Sequence, residues 1–147
     1  MLHLLLLKKT NKLRPNLYFC FLNLLAMEIL NPKELELIYT SHKETALFGK
    51  WIHDAHISPL LSKLSEKLTI EIIGHSENKV PIHSVKFGLG PKKILIWTQM
   101  HGNESTGTKA LFDFFNCIAA SEHPILKRIL DECTILCIPM LNPDGAL

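Results

Sequence analysis

Two apolar runs of strand length, residues 94–100 and 134–140, are separated by a segment whose apolar residues recur at helical spacing. That order fixes how the two runs connect. Ala110, Leu111, Phe114, Phe115 and Ile118 set one apolar stripe along residues 105–119, and a second short helical stretch opens on Pro124 and runs through residues 124–130. A strand, a helical crossover of this length and a second strand make a parallel pair, with the helix covering one face of the sheet. The run that starts at Ile94 is apolar enough for a central strand covered on both faces, with Trp97 in the core. Ligands of open sheets built this way sit beyond the carboxyl ends of the strands.

Upstream, residues 69–74 and 82–87 read as two more strands around the turn-rich Ser76, Glu77, Asn78 and Lys79, a hairpin with a longer loop. Gly88, Gly90 and Pro91 punctuate the turn that follows. Residues 32–68 read as helical: Ser41 and Glu44 form a capping box, Leu47, Phe48, Trp51 and Ile52 recur at helical spacing, and Pro59 starts a short helix. His53 and His56 lie three apart in this stretch, but no carboxylate or cysteine completes a metal pattern around them, and they read as surface histidines.

The chain of 147 residues is 47% hydrophobic and 20% charged, which suits one domain with a real core and argues against disorder over most of its length. A net charge of +2, with the lysines spread along the chain, excludes a basic nucleic-acid-binding surface as the leading expectation. Cys20, Cys117, Cys133 and Cys137 include no Cys-x-x-Cys pair, so reduced thiols are expected, with Cys133 and Cys137 on one face of a strand as small apolar residues.

Residues 1–26 form an apolar and basic extension in which neither apolar run is long enough to span a bilayer. Residues 17–26 could serve as the apolar part of a signal peptide, but Leu24, Leu25 and Ala26 make a poor cleavage site. A start at Met27 is the alternative, because Asn31, Pro32 and Glu34 then read as a helix cap, a first-turn proline and a capping-box glutamate. A cytoplasmic location is expected, with a secreted or periplasmic one if residues 17–26 are a signal sequence. The oligomeric state is left open.

The chemistry concentrates at the carboxyl ends of the two parallel strands. His101, Gly102, Asn103 and Glu104 follow the first directly, and Asn142, Pro143, Asp144 and Gly145 follow the second. An imidazole and a carboxylate three residues apart on a loop leaving a buried strand can converge on one zinc ion, with Gly102 easing the backbone between them. Two independent polar clusters on one rim point to a site more strongly than either alone.

From residue 68 to residue 147 the chain resembles the amino-terminal half of a zinc carboxypeptidase of the carboxypeptidase A type. Three features carry the resemblance: the hairpin from Ile70 to His83, the His101 to Glu104 motif, and the Asn142 to Gly145 turn. It implies an α/β fold, carboxypeptidase-like (phosphorylase/hydrolase-like), with a mixed, mainly parallel sheet flanked by helices and truncated here. Residues 1–26 would be the extension, 27–67 a helical region and 68–147 the half domain. By the resemblance, His101 and Glu104 are zinc ligands, Asn142, Asp144 and Gly145 shape the turn toward the substrate cleft, and the substrate is a peptide cleaved at its carboxyl terminus.

The family's third ligand histidine, its carboxylate-binding arginines and its general-base glutamate have no matching positions here. His123 precedes Pro124 at a helix start and does not match the third ligand. The resemblance therefore implies that this chain alone binds zinc weakly and is inactive. The strand ending near Leu141 is expected to present an unpaired edge. Two other readings stand beside this one. Residues 98–107 also resemble the zinc-dependent deacylases of the aspartoacylase and succinylglutamate desuccinylase type, and a noncatalytic remnant or binding module would carry the same motif.

Overall fold

A computed structural model describes residues 31–147; the expectations for residues 1–26, for Met27 as a start and for Cys20 lie outside the described residues. The turn at residues 76–79 joins β1 (Thr69–His75) and β2 (Pro81–Phe87) as an antiparallel pair with a register shift between Ile72 and Gly74. Ser76 N and Val80 O close the turn at 2.9 Å, and Lys79 takes the left-handed conformation it needs (φ 64°).

β3 (Lys92–Trp97) leads through α3 (Thr106–Ala120) and α4 (Pro124–Glu132) to β4 (Cys133–Ile138). β3 and β4 pair in parallel, as the crossover requires. The sheet order is β1-β2-β4-β3, with β2 and β4 antiparallel, so the sheet is mixed. β4 thus lies inside the sheet. The free edge expected after Leu141 falls instead on β3, because β4 is hydrogen-bonded on both sides.

Register decides which side chains share a face. Val85 pairs with Cys137, and Ile94 and Ile96 pair with Ile135 and Cys137, placing them and Phe87 on the face that packs against α3. Phe87 meets Phe115 edge-on at 6.1 Å, and Phe112 meets Phe115 at 5.5 Å, each in the T-shaped geometry that aromatic pairs favour. Leu95 and Trp97 point to the opposite face beside Leu136 and Ile138. Trp97 is 49% exposed and Leu95 55%, so β3 is neither central nor covered on both faces, and Trp97 is not a core residue.

The α3 stripe differs from the expected one. Ala110 is exposed and Phe114 half-buried, while Phe112 and Thr108 are fully buried, because the helix packs against the sheet and against two helices, chiefly Pro32–His42 and also α2 (Asp54–Leu64). α2 contributes Ile57, Leu61 and Leu64 to the core. It contains Pro59 rather than beginning at it. The sixth helical residue is later than the first turn where proline is free of cost, yet Pro59 is exposed and the helix continues for five more residues.

α1 (Pro32–His42) starts on its proline and buries no side chain fully. Asn116 of α3 donates to His42 O at 3.2 Å, tying the end of α1 to α3. The helix expected over residues 44–52 does not form. Glu44 N donates to Asp113 Oδ1 (2.7 Å), Ala46 N donates to Glu44 Oε1 (2.9 Å), and Gly49 adopts φ 78°, so side chains take the amides a helix would need. Leu47 and Ile52 are buried from this loop while Phe48 is 82% exposed.

Cys117, Cys133 and Cys137 are free thiols. Burial pushes the Cys137 thiol up to about 11, which makes it an inert core residue. Cys133 on the same strand is half-buried. Among the described residues no helix is long and apolar enough to cross a membrane.

Candidate metal centre

Pairing between the parallel strands continues past their ends. Thr98 N donates to Ile138 O, Leu141 N to Thr98 O and Asn142 N to Gln99 O, at 3.0 to 3.1 Å. The two expected polar clusters are therefore held side by side on one rim.

His101 and Glu104 are both exposed on the loop between β3 and α3, and Glu104 N donates to His101 O at 2.9 Å. One tight turn thus carries both groups. Gly102 in its centre is buried, and a Cβ there would overlap the backbone of Gly145 and Ala146. Its φ lies outside the left-handed region, so the requirement for glycine is close approach of two chains rather than an unusual turn.

The second cluster is used within the protein. Asn142 Oδ1 accepts from Gly145 N at 3.0 Å, and Asn142 Nδ2 donates to Met100 O at 3.2 Å, so this residue shapes its own turn and holds the residue before His101. Asp144 faces the hairpin, accepting from Ser76 Oγ at 2.6 Å and from Asn78 N at 3.1 Å. These bonds, that from Ser76 foremost, hold its carboxyl below the usual carboxylate range. Gly145 begins the short 3-10 turn Asp144–Ala146 with Asp144.

Sequence reasoning missed a residue beneath the loop. Gln99 is 4% exposed and adopts φ 51°, a conformation that costs a side-chain-bearing residue about 1–2 kcal/mol. Its Nε2 donates to Gly102 O at 2.6 Å and to Ile52 O at 2.7 Å, while Oε1 accepts from Thr108 Oγ1 at 2.6 Å. Two carbonyls on one side and a hydroxyl on the other admit only this orientation of the amide. Thr98 Oγ1 donates to Pro139 O at 2.7 Å, and Thr108 Oγ1 lies at the same distance from that carbonyl, so the single Thr108 proton is shared between Gln99 Oε1 and Pro139 O. The visible signal was Thr98 and Gln99 themselves, two polar residues at the end of an apolar run.

Ser105, at the start of α3, donates its hydroxyl to Lys50 O at 2.6 Å and so anchors the loop to residues 49–52. His123 sits at the start of α4, where its Nδ1 accepts from Ile125 N at 3.3 Å, in keeping with a helix cap. The His53 and His56 rings lie 4.0 Å apart, tilted by 60°, at the start of α2, with His53 N donating to His56 Nδ1.

The donor set at His101 and Glu104, one imidazole and one carboxylate on an exposed turn, fits two positions of a zinc site. Among the described residues no group of three or more His, Cys, Asp or Glu could hold a metal ion. The fit is thus to two ligands. A concavity of about 420 Å³ lined by His42, Glu44, Leu64 and Asn116 lies against the helices and shares no residue with the rim.

Residues 54–147 match the zinc carboxypeptidase family, and the chain belongs to that family. The match begins in α2, upstream of the hairpin. Carboxypeptidase D of Rattus norvegicus is 34% identical over 55 residues, which cover 36% of this chain and 4% of that protein. The metallo-carboxypeptidase of Burkholderia cenocepacia superimposes with a TM-score of 0.59 at 18% identity, over 63% of this chain and 28% of the other. Thrombin activatable fibrinolysis inhibitor gives a TM-score of 0.61 at 14% identity, over 76% and 33%. These likenesses show the carboxypeptidase fold, and the chain spans about a third or less of the length of each of these proteins.

Proposed function

We propose that this chain carries the first two zinc ligands of a metallocarboxypeptidase, His101 and Glu104, and that the site acts on the carboxyl-terminal bond of a peptide. The observation that carries the reading is the single turn closed by Glu104 N on His101 O, set at the carboxyl ends of the parallel pair in a chain of this family. When bound, zinc supplies Lewis acidity toward a scissile carbonyl.

What the chain's own residues do is hold the two ligands. The imidazole and carboxylate leave one arc, Gly102 lets that arc lie against the turn at Gly145, and Asn142 secures the residue before His101. Two ligands are fewer than the three that catalytic zinc sites use. Residues 31–147 on their own therefore bind the ion weakly and hydrolyse no peptide at a useful rate.

The test is a zinc titration of the full chain followed by the ring resonances of His101, with peptidase activity assayed in parallel. Binding abolished by His101→Ala and by Glu104→Ala is the expected result. Zinc binding that survives both substitutions overturns the ligand assignment, and peptidase turnover by the isolated chain overturns the inactivity.

A further inference from the structure

Three consecutive carbonyls run through the ligand arc, and each is held by a different donor. Met100 O accepts from Asn142 Nδ2 at 3.2 Å, His101 O from Glu104 N at 2.9 Å, and Gly102 O from Gln99 Nε2 at 2.6 Å. Of the three donors, Gln99 alone is a buried side chain.

We propose that Gln99 is the positioning residue of the metal loop, its buried carboxamide fixing the peptide planes between His101 and Glu104 so that both side chains leave the arc in a preset geometry. The ligand assignment rests on the zinc reading above; the ordering of the arc rests on the hydrogen bonds alone.

Gln99 suits this role because its one amide joins three separate segments. Nε2 spends both protons on carbonyls, one in the loop before α2 (Ile52) and one between the ligands (Gly102), and Oε1 takes the hydroxyl of Thr108 on α3. Every polar atom of the side chain is satisfied in a buried setting, where a missing partner is costly. The left-handed backbone of Gln99 turns the chain off the end of β3, and the side chain then reaches back under the loop it has just started. Backbone strain held in place by surrounding hydrogen bonds is a pattern that accompanies functional loops. A group that orients ligands without touching the metal sets how much of the binding free energy is lost in ordering them.

The experiment uses the full chain with Gln99→Met, which keeps length and apolar volume and removes all three side-chain bonds, and with Thr108→Val, which of these three removes only the bond to Oε1, together with the contact of Thr108 to Pro139 O. Two quantities are read: zinc affinity through the His101 ring, and hydrogen exchange of the Glu104 amide. Gln99→Met is expected to lose roughly 10-fold to 100-fold in zinc affinity, the range seen when groups that orient ligands are removed. It should also speed exchange at Glu104 while the β1–β2 amides stay as slow as before, a local change that general destabilisation would not give. Thr108→Val should shift both quantities in the same direction by less, and it decides the matter if Gln99→Met does not fold.

Zinc affinity within twofold of the unsubstituted chain, with unchanged Glu104 exchange, overturns the proposal. If the unsubstituted chain does not bind zinc through His101, the metallocarboxypeptidase reading fails by itself. The exchange measurement still decides whether Gln99 orders the arc.

Discussion

Ser76 Oγ donates to Asp144 Oδ1 at 2.6 Å, a bond that fastens the turn of the β1–β2 hairpin to the rim beside the metal loop, 68 residues away in sequence. The same hydroxyl accepts from Val80 N at 3.0 Å, and Asp144 Oδ2 takes Asn78 N, so one carboxylate and one hydroxyl set both the turn and its attachment. Asp144→Ala should lower the melting temperature and speed exchange at the Asn78 and Val80 amides while leaving those of α3 slow. Equal acceleration in α3 would mean that the contact is global rather than local.

Gly102 makes a sharper prediction. A methyl group there has no space between the loop and the backbone of Gly145 and Ala146, and neither neighbour is the movable end of a side chain. Gly102→Ala should therefore cost about 1–3 kcal/mol, the usual range for forcing extra volume into a packed site. A urea unfolding curve with a lowered midpoint and unchanged slope would show it. An unshifted midpoint would mean that the two turns are free to separate.

What the sequence disclosed and what it hid divide along physical lines. The hairpin and the crossover were legible because alternation, turn residues and the apolar stripe of α3 are local signals. The rim followed from topology, since strand ends in a parallel pair must coincide. The loop at residues 43–53 was read as helix because Leu47, Phe48, Trp51 and Ile52 mimic a helical period. Nothing in that period reveals that Asp113, about seventy residues on, captures the Glu44 amide. Gln99 was hidden for a related reason: its partners Ile52 and Thr108 come from separate elements, and a positive φ leaves no mark on the residue that adopts it.

His83 gives a pH dependence. Its Nε2 is buried without a hydrogen-bond partner, and Asp54 Oδ1 lies 3.8 Å away, too far for a hydrogen bond. Burial lowers the imidazole pKa and outweighs the opposing attraction of Asp54. Below an unfolded value near 6.5 the unfolded chain binds the proton that the folded chain refuses, so stability is full above that pH and falls as pH drops toward the folded value. His83→Gln should flatten this part of the stability profile. An imidazole titrating above 6.5 by NMR would reverse the sign.

Glu132 acts in a lower window. Lys92 Nζ at 2.6 Å and Arg128 Nε at 2.7 Å hold its carboxyl down to about 2, against an ordinary value of 4.5. The contribution is present above 4.5 and is lost as pH falls through the folded value. The group is on the surface, so salt should weaken the effect. Glu132→Gln is expected to remove the part of the acid slope that added salt also removes. A slope unaffected by the substitution would place the acid sensitivity elsewhere, with Asp144 the next carboxylate to test.

The edge of the sheet supplies the last prediction. β3 is hydrogen-bonded to β4 on one side and, among the described residues, to no strand on the other. Ile94, Leu95 and Trp97 are 39%, 55% and 49% exposed along it. A free edge with apolar side chains is a template for pairing with another chain, and the lysines at 92 and 93 guard only its first two residues. Leu95 points away from α3, so Leu95→Lys places a charge on the open face without disturbing the core. The variant should stay within about 0.5 kcal/mol of the unsubstituted chain in stability, as surface changes do. It should also show less light scattering and a larger soluble fraction at equal concentration. Unchanged association would move the sticky surface away from β3, and Phe48, 82% exposed beside the first turn of α3, would be the residue to substitute next.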